Sequence, residues 1–233
     1  MKILNIILLV SIAIGSGIQK PQKKNNQKTL CTLPDPYSMV QEGEHLLTDG
    51  DLIVRFNRDP TSLYIKNFNR RDKKYSHAGL LFFEDGQPFV YHIVNGSDSS
   101  REFIIKDPFT NFCNPKENLS FGIFRYNVKP TEIKRLNILL KKWLDKKIRF
   151  DHQFNLDTDE KMYCSEMVSK AISMATHNRI ATGSTKLSEA EAMFLSNHLQ
   201  VPYKTLMKSG LIAIDDLYQS SFSTPVKEFN YRR

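Results

Sequence analysis

Two periodicities divide this chain. Between residues 46 and 126 the apolar positions fall in short runs broken by turn residues, and after residue 130 they recur at every third or fourth position. The short runs predict strands. Gly50-Asp51 is a turn signal that leads into a strand over 52–56, and a second strand is predicted over 77–83. Between them, Asp59-Pro60 and the polar run 66–74 predict a loop. Asp85-Gly86 then predicts a tight hairpin, because that pair supplies the positive φ of a two-residue turn. A third strand returns over 89–94, closed by Asn95-Gly96, and further strands are expected over 102–105 and 121–126.

Helical spacing takes over at Pro130-Thr131, with Ile133, Leu136, Leu140, Trp143 and Leu144 on one face of a helix over 131–147. An Asp-rich loop over 151–160 follows. A second helix begins around Cys164, with Met167, Val168, Ala171 and Ala175 on its buried side, and another is expected over 188–198. There is no internal repeat. The sum is an α+β domain over 46–233, a curled antiparallel sheet packed by helices.

The first residues change the picture. Lys2 precedes an apolar run over 3–14, and Gly15-Ser16-Gly17 follows it. That pattern predicts a signal peptide over 1–17 and an exported, periplasmic or secreted product. The run is shorter than the roughly 20 apolar residues of a membrane span. Residues 18–45 read as a basic linker and N-terminal extension, with four lysines between Gln19 and Lys28. The formal charge of +8 favours an anionic membrane or cell-wall surface. No basic stripe interleaved with aromatics marks a nucleic-acid site, so nucleic acid is not expected as a partner. Three cysteines, Cys31, Cys113 and Cys164, leave an odd thiol in an exported chain, and Cys31 with Cys113 is the pairing open to it.

The candidate chemistry lies in one thiol and two imidazoles. A cysteine at a helix start faces unpaired N–H groups and the positive end of the dipole, both of which favour a thiolate. Cys164 has that position, on the face that packs toward the strands. His77 and His92 lie on the two arms of the Asp85-Gly86 hairpin, and neighbouring strands run only about 4.8 Å apart. His77 is then the base for Cys164, His92 the group that orients His77, and the Cys164 N–H a donor to a developing oxyanion. Glu166 reads as a first-turn cap and Asp51 as a turn residue. His45, His152, His177 and His198 have no comparable context.

The stretches Gly50-Asp51-Leu52-Ile53-Val54-Arg55, Ser76-His77-Ala78-Gly79-Leu80, Val90-Tyr91-His92 and Tyr163-Cys164-Ser165-Glu166-Met167-Val168 stand in an order that resembles the YiiX/YebB family. The resemblance places the chain in the circularly permuted branch of the NlpC-type, papain-like cysteine hydrolases, to which the lecithin:retinol acyltransferase-like enzymes are related. It implies a permuted papain-like fold and a Cys/His/polar triad of Cys164, His77 and His92. The third member departs from the family, which often has a glutamate there.

The function expected is hydrolysis through a Cys164 thioester, on amide bonds of cell-envelope peptides and without a cofactor. Three other readings stay open. The same triad suits lipid acyl hydrolysis or acyl transfer, the cleft suits a non-catalytic lipid or peptide binding module, and Cys164, His77 and His92 number enough ligands for a zinc site. Oligomeric state is not legible.

Overall fold

Alternation along the strands builds a sheet with two buried faces. The computed structural model describes residues 35–95, 102–199 and 201–231, so the segment 1–17 expected to be a signal peptide, Cys31 and any pairing of Cys31 with Cys113 lie outside the described residues. The strands are β1 (Leu52–Asn57), β2 (His77–Glu84), β3 (Gln87–Ile93), β4 (Ile104–Pro108), β5 (Asn118–Tyr126), β6 (Arg149–Phe150), β7 (Lys161–Met162) and β8 (Ser223–Asn230). Six of them form one antiparallel sheet in the order β4-β3-β2-β1-β5-β8, and β6 with β7 forms a short parallel ribbon. The helices are α1 (Pro36–Glu44), α2 (Pro60–Ile65), α3 (Phe109–Phe112), α4 (Pro130–Asp145), α5 (Cys164–Ala175), α6 (Glu189–Leu199), α7 (Tyr203–Ser209) and α8 (Ile214–Tyr218). This is the α+β class and the helix-packed antiparallel sheet that the periodicities predict.

One sheet face presents Leu52, Val54, Ala78, Leu80, Phe82 and Tyr91 to α4 and α5, whose Leu136, Leu140, Trp143, Met167 and Val168 close the larger core. The opposite face carries Ile53, Leu81, Val90, Phe121 and Ile123 under Val40 of α1 and Phe109 and Phe112 of α3. Each such side chain, buried from water, contributes about 2 kcal/mol. The β2–β3 hairpin turns at Asp85 and Gly86, whose φ values of 50° and 77° are both positive, as the tight turn requires.

Three segments differ from the sequence expectation. Asp59-Pro60 opens helix α2 rather than a loop: the Asp59 carboxylate accepts from the Ser62 N–H at 2.9 Å, and Pro60 occupies the first turn, where no N–H is missed. Helix α1 takes up the end of the segment read as an extension, and its Val40 is buried against the sheet. Strand β8 carries few apolar residues because it is an edge strand with one neighbour, β5, so its burial pattern is mostly exposed and no alternation announces it.

Candidate active site

Helix α5 starts at Cys164 because its cap is closed there. Tyr163 is the extended N-cap residue, and its N–H donates to the Glu166 carboxylate at 3.2 Å. Glu166 is thus the cap its position predicts. The backbone N–H groups of Ser165, Ala78 and Cys164 itself act on the Cys164 sulfur in the direction that favours a thiolate. The Ala78 contribution depends on how the sheet opens. Leu81 donates its N–H to Asp51 of the β1 side, so by alternation Leu80 and Ala78 turn theirs toward β3. The β2–β3 ladder begins only at Leu80–Tyr91, however, which leaves the Ala78 N–H facing the sulfur.

His77 sits one residue before that contact, at the start of β2 and opposite Arg55 of β1. Its Nε2 lies 3.0 Å from Nδ1 of His92, with the rings edge to face. The other His92 nitrogen, Nε2, lies 3.0 Å from a carboxylate oxygen of Asp107 on β4. The two histidines approach because Gly79 lies between them on the same face. A Cβ there would stand 2.5 Å from a Val90 methyl, 2.7 Å from the Tyr91 carbonyl oxygen and 3.1 Å from the His92 Cβ. Phe112 covers both rings, at centroid distances of 5.7 and 4.9 Å.

The chain of contacts assigns the protons. The hydrogen bond from His92 holds the Asp107 carboxyl below its usual range, so it is an ionised acceptor. His92 Nε2–H donates to it, which leaves Nδ1 of a neutral His92 as an acceptor. His77 then donates Nε2–H to His92, and its own Nδ1 keeps the lone pair. Burial holds His77 well below the usual imidazole value, helped by the Arg55 charge and by His92. Burial also lowers His92, against the pull of Asp107. The Cys164 thiol is pushed up to about 11 by burial, although the three N–H groups and Arg55 oppose the rise. At neutral pH the cleft therefore holds a thiol at Cys164 and a neutral imidazole at His77.

Cys164 and His77 line one cleft of about 540 Å³. Its walls include Phe68, Phe150, Phe154, Leu195 and Leu211, and Arg55 and Ser76 add polar surface. Another wall is tied to helix α5: Ile212 donates its N–H to the Tyr163 hydroxyl at 2.9 Å, and Ser165 donates its hydroxyl to the Ile212 carbonyl at 2.7 Å. Ile214 donates to the Asn69 side-chain oxygen at 3.1 Å, and Asn69 in turn donates to the Tyr75 carbonyl at 2.8 Å. Beneath it, one oxygen of the buried Asp215 accepts the N–H groups of Arg70, Arg71 and Asp72 at 2.9, 2.6 and 3.0 Å.

The structure thus brings His77 and His92 into contact and sets Cys164 in the same cleft. Asp107 escaped the sequence reading because the fourth strand was expected to end at residue 105; the only signal was a carboxylate two residues further on the same face. Asp51 is more than a turn residue. It is fully buried and takes both a fork from Arg125, at 2.7 and 2.8 Å, and the Thr48 N–H at 2.8 Å. Of the remaining histidines, His152 and His198 line the cleft, the first paired with Glu102 and the second stacked on Phe194.

A six-stranded antiparallel sheet with a cysteine-led helix across one face and histidines on adjacent strands defines a mixed α+β fold of the YiiX, papain-like type. The comparison that carries this is with the crystal structure of metalloprotein yiiX from Escherichia coli O157:H7, a DUF1105 protein. It superposes with a TM-score of 0.61 at 18% identity, covering 77% of this chain and 96% of that one, a likeness of fold. No family model matches the chain. No curated protein matches it either.

Proposed function

We propose that this chain is a cysteine hydrolase in which Cys164 is the nucleophile, His77 the base, His92 the group that orients His77, and Asp107 the carboxylate that fixes His92. One observation carries the reading: the hydrogen-bonded line His77–His92–Asp107 begins in the cleft that Cys164 lines.

In this reading His77 Nδ1 takes the thiol proton as the sulfur attacks the carbonyl carbon of the substrate. Backbone N–H groups at the start of α5 hold the developing oxyanion. The His77 proton then passes to the leaving amine, the C–N bond breaks and a Cys164 thioester remains. Water attacks the thioester, giving its proton to His77, and the acid leaves as the thiol is restored. Because burial keeps the resting thiol protonated, its attack depends on His77 taking the proton.

The proposal extends to kinship with the permuted NlpC-type hydrolases, to export directed by residues 1–17, and to amide bonds of cell-envelope peptides. A second reading, lipid acyl groups processed by the same residues, draws on the apolar walls formed by Phe68, Phe150, Phe154 and Leu195. Muropeptides and lipid esters assayed side by side with the parent chain and Cys164→Ala separate the two. Turnover retained by Cys164→Ala would refute the nucleophile. Absence of turnover on both substrate classes would favour a binding module.

The solved neighbour is titled a metalloprotein. The residues here do not fit a metal: His77 and His92 turn ring nitrogens toward each other and His92 turns its second toward Asp107, so their lone pairs do not converge. Among the described residues no group of three or more His, Cys, Asp or Glu side chains is arranged to hold one. No step is routed through a metal.

A further inference from the structure

Arg55 stands directly across the β1–β2 ladder from His77 and lines the same cleft. Its guanidinium lies over the Phe112 ring, 4.1 Å from the centroid, and one terminal nitrogen donates to the Phe112 carbonyl at 2.8 Å. Its Nε–H is buried and, among the described residues, has no hydrogen-bond partner. Asp59, Asp107 and Glu117 act on it through space, yet among the described residues none forms an ion pair with it. A cation drawn out of bulk water with a spare donor is costly unless an anion completes it.

We propose that Arg55 anchors a carboxylate of the substrate beside the bond that Cys164 attacks. The inference rests on the reading of Cys164 as nucleophile and deepens it: the substrate class is an acyl donor with a free carboxylate near the scissile carbonyl, as in a short acidic peptide. The aromatic ring beneath the guanidinium holds its plane, and a planar fork suits a carboxylate. Binding would also offset the charge that helps keep His77 neutral, so the base gains proton affinity when the substrate arrives.

Paired alkylating reagents test the anchor apart from the nucleophile. Iodoacetate and iodoacetamide both lose iodide to a thiol, and only the first carries a carboxylate. With labelling at Cys164 read by peptide mass spectrometry, the iodoacetate-to-iodoacetamide rate ratio should exceed that of N-acetylcysteine by about tenfold. Arg55→Met should remove the excess and Arg55→Lys should keep part of it. Label at the buried Cys113 reports any variant that fails to fold. A wild-type ratio equal to that of N-acetylcysteine, with Cys164 still reactive toward iodoacetamide, overturns the anchor and leaves the nucleophile standing. If Cys164 reacts with neither reagent, binding decides: in a Cys164→Ala chain succinate should raise Tm saturably, and Arg55→Met should abolish the rise. No saturable rise overturns the anchor. A rise with inorganic phosphate but not succinate overturns the carboxylate in favour of a phosphate.

Discussion

Two arginines on neighbouring strands of one sheet have opposite surroundings. Arg125 of β5 forks onto Asp51, and that carboxylate also takes Thr48, so every charge in the group is answered. Arg55 of β1 meets a carbonyl and a ring, while Asp59, Asp107 and Glu117 act on it only through space and none of them forms an ion pair with it among the described residues. The first cluster joins the Leu46–Asp51 turn to the sheet and leaves nothing for a ligand to add. The second leaves a buried donor without a partner among the described residues, on a side chain that lines a cleft. Buried polarity by itself therefore does not mark a site. Incompletely answered polarity next to a cavity does.

The comparison can be broken by removing one group at a time. The largest effect should come from Cys164→Ala, which is expected to lower turnover by about 10⁴-fold while thermal unfolding stays near the parent value. A retained rate would dissolve the distinction between the regions. Asp51→Ala should act in the opposite sense. It removes the partner of Arg125, whose side chain keeps 40% exposure, and leaves the Thr48 N–H unpaired, so it is expected to cost about 1–3 kcal/mol in urea unfolding, with kcat per folded molecule unchanged. Asp107→Asn comes next: without the ionised acceptor, His92 no longer holds one tautomer, and kcat should fall roughly 10²-fold with little change in KM.

The smallest effect sharpens the comparison through pH. Burial lifts the Glu166 carboxyl from 4.5 to about 7, against Lys170 and the Tyr163 N–H. The native state therefore holds this proton more tightly than the unfolded chain does. Its contribution is full below 4.5 and is lost as pH rises through about 7, so stability should drop by about 2 kcal/mol between pH 5 and 7 from this group. Glu166→Gln should flatten that slope in Tm measured across the range. An unchanged slope would mean that Glu166 ionises as an ordinary carboxylate.

Local signals carried the central part of the molecule. The Asp85-Gly86 turn, the apolar runs around it and the 3.6-residue spacing of α4 and α5 are properties of contiguous sequence, and they locate His77, His92 and Cys164 on neighbouring elements. What stayed hidden depends on pairing at a distance. Asp107 matters only because β4 lies beside β3 in a register that sets Asp107 opposite Val90 and Ile105 opposite His92. Asp51 looked like a turn because its partner, Arg125, is distant in the chain. The Asp59-Pro60 signal was ambiguous, since the same dipeptide starts turns and helices alike. Strand β8 gave no pattern because an edge strand buries little.

The hydroxyls of Tyr163 and Ser165 fasten the Leu211–Ile214 wall to the first turn of the helix that bears Cys164. The wall and the first turn of that helix are thereby coupled through the Ile212 main chain. Both bonds use the Ile212 main chain, so a smaller side chain at Ile212 should widen the mouth and keep them, whereas Tyr163→Phe or Ser165→Ala should loosen the wall from the helix.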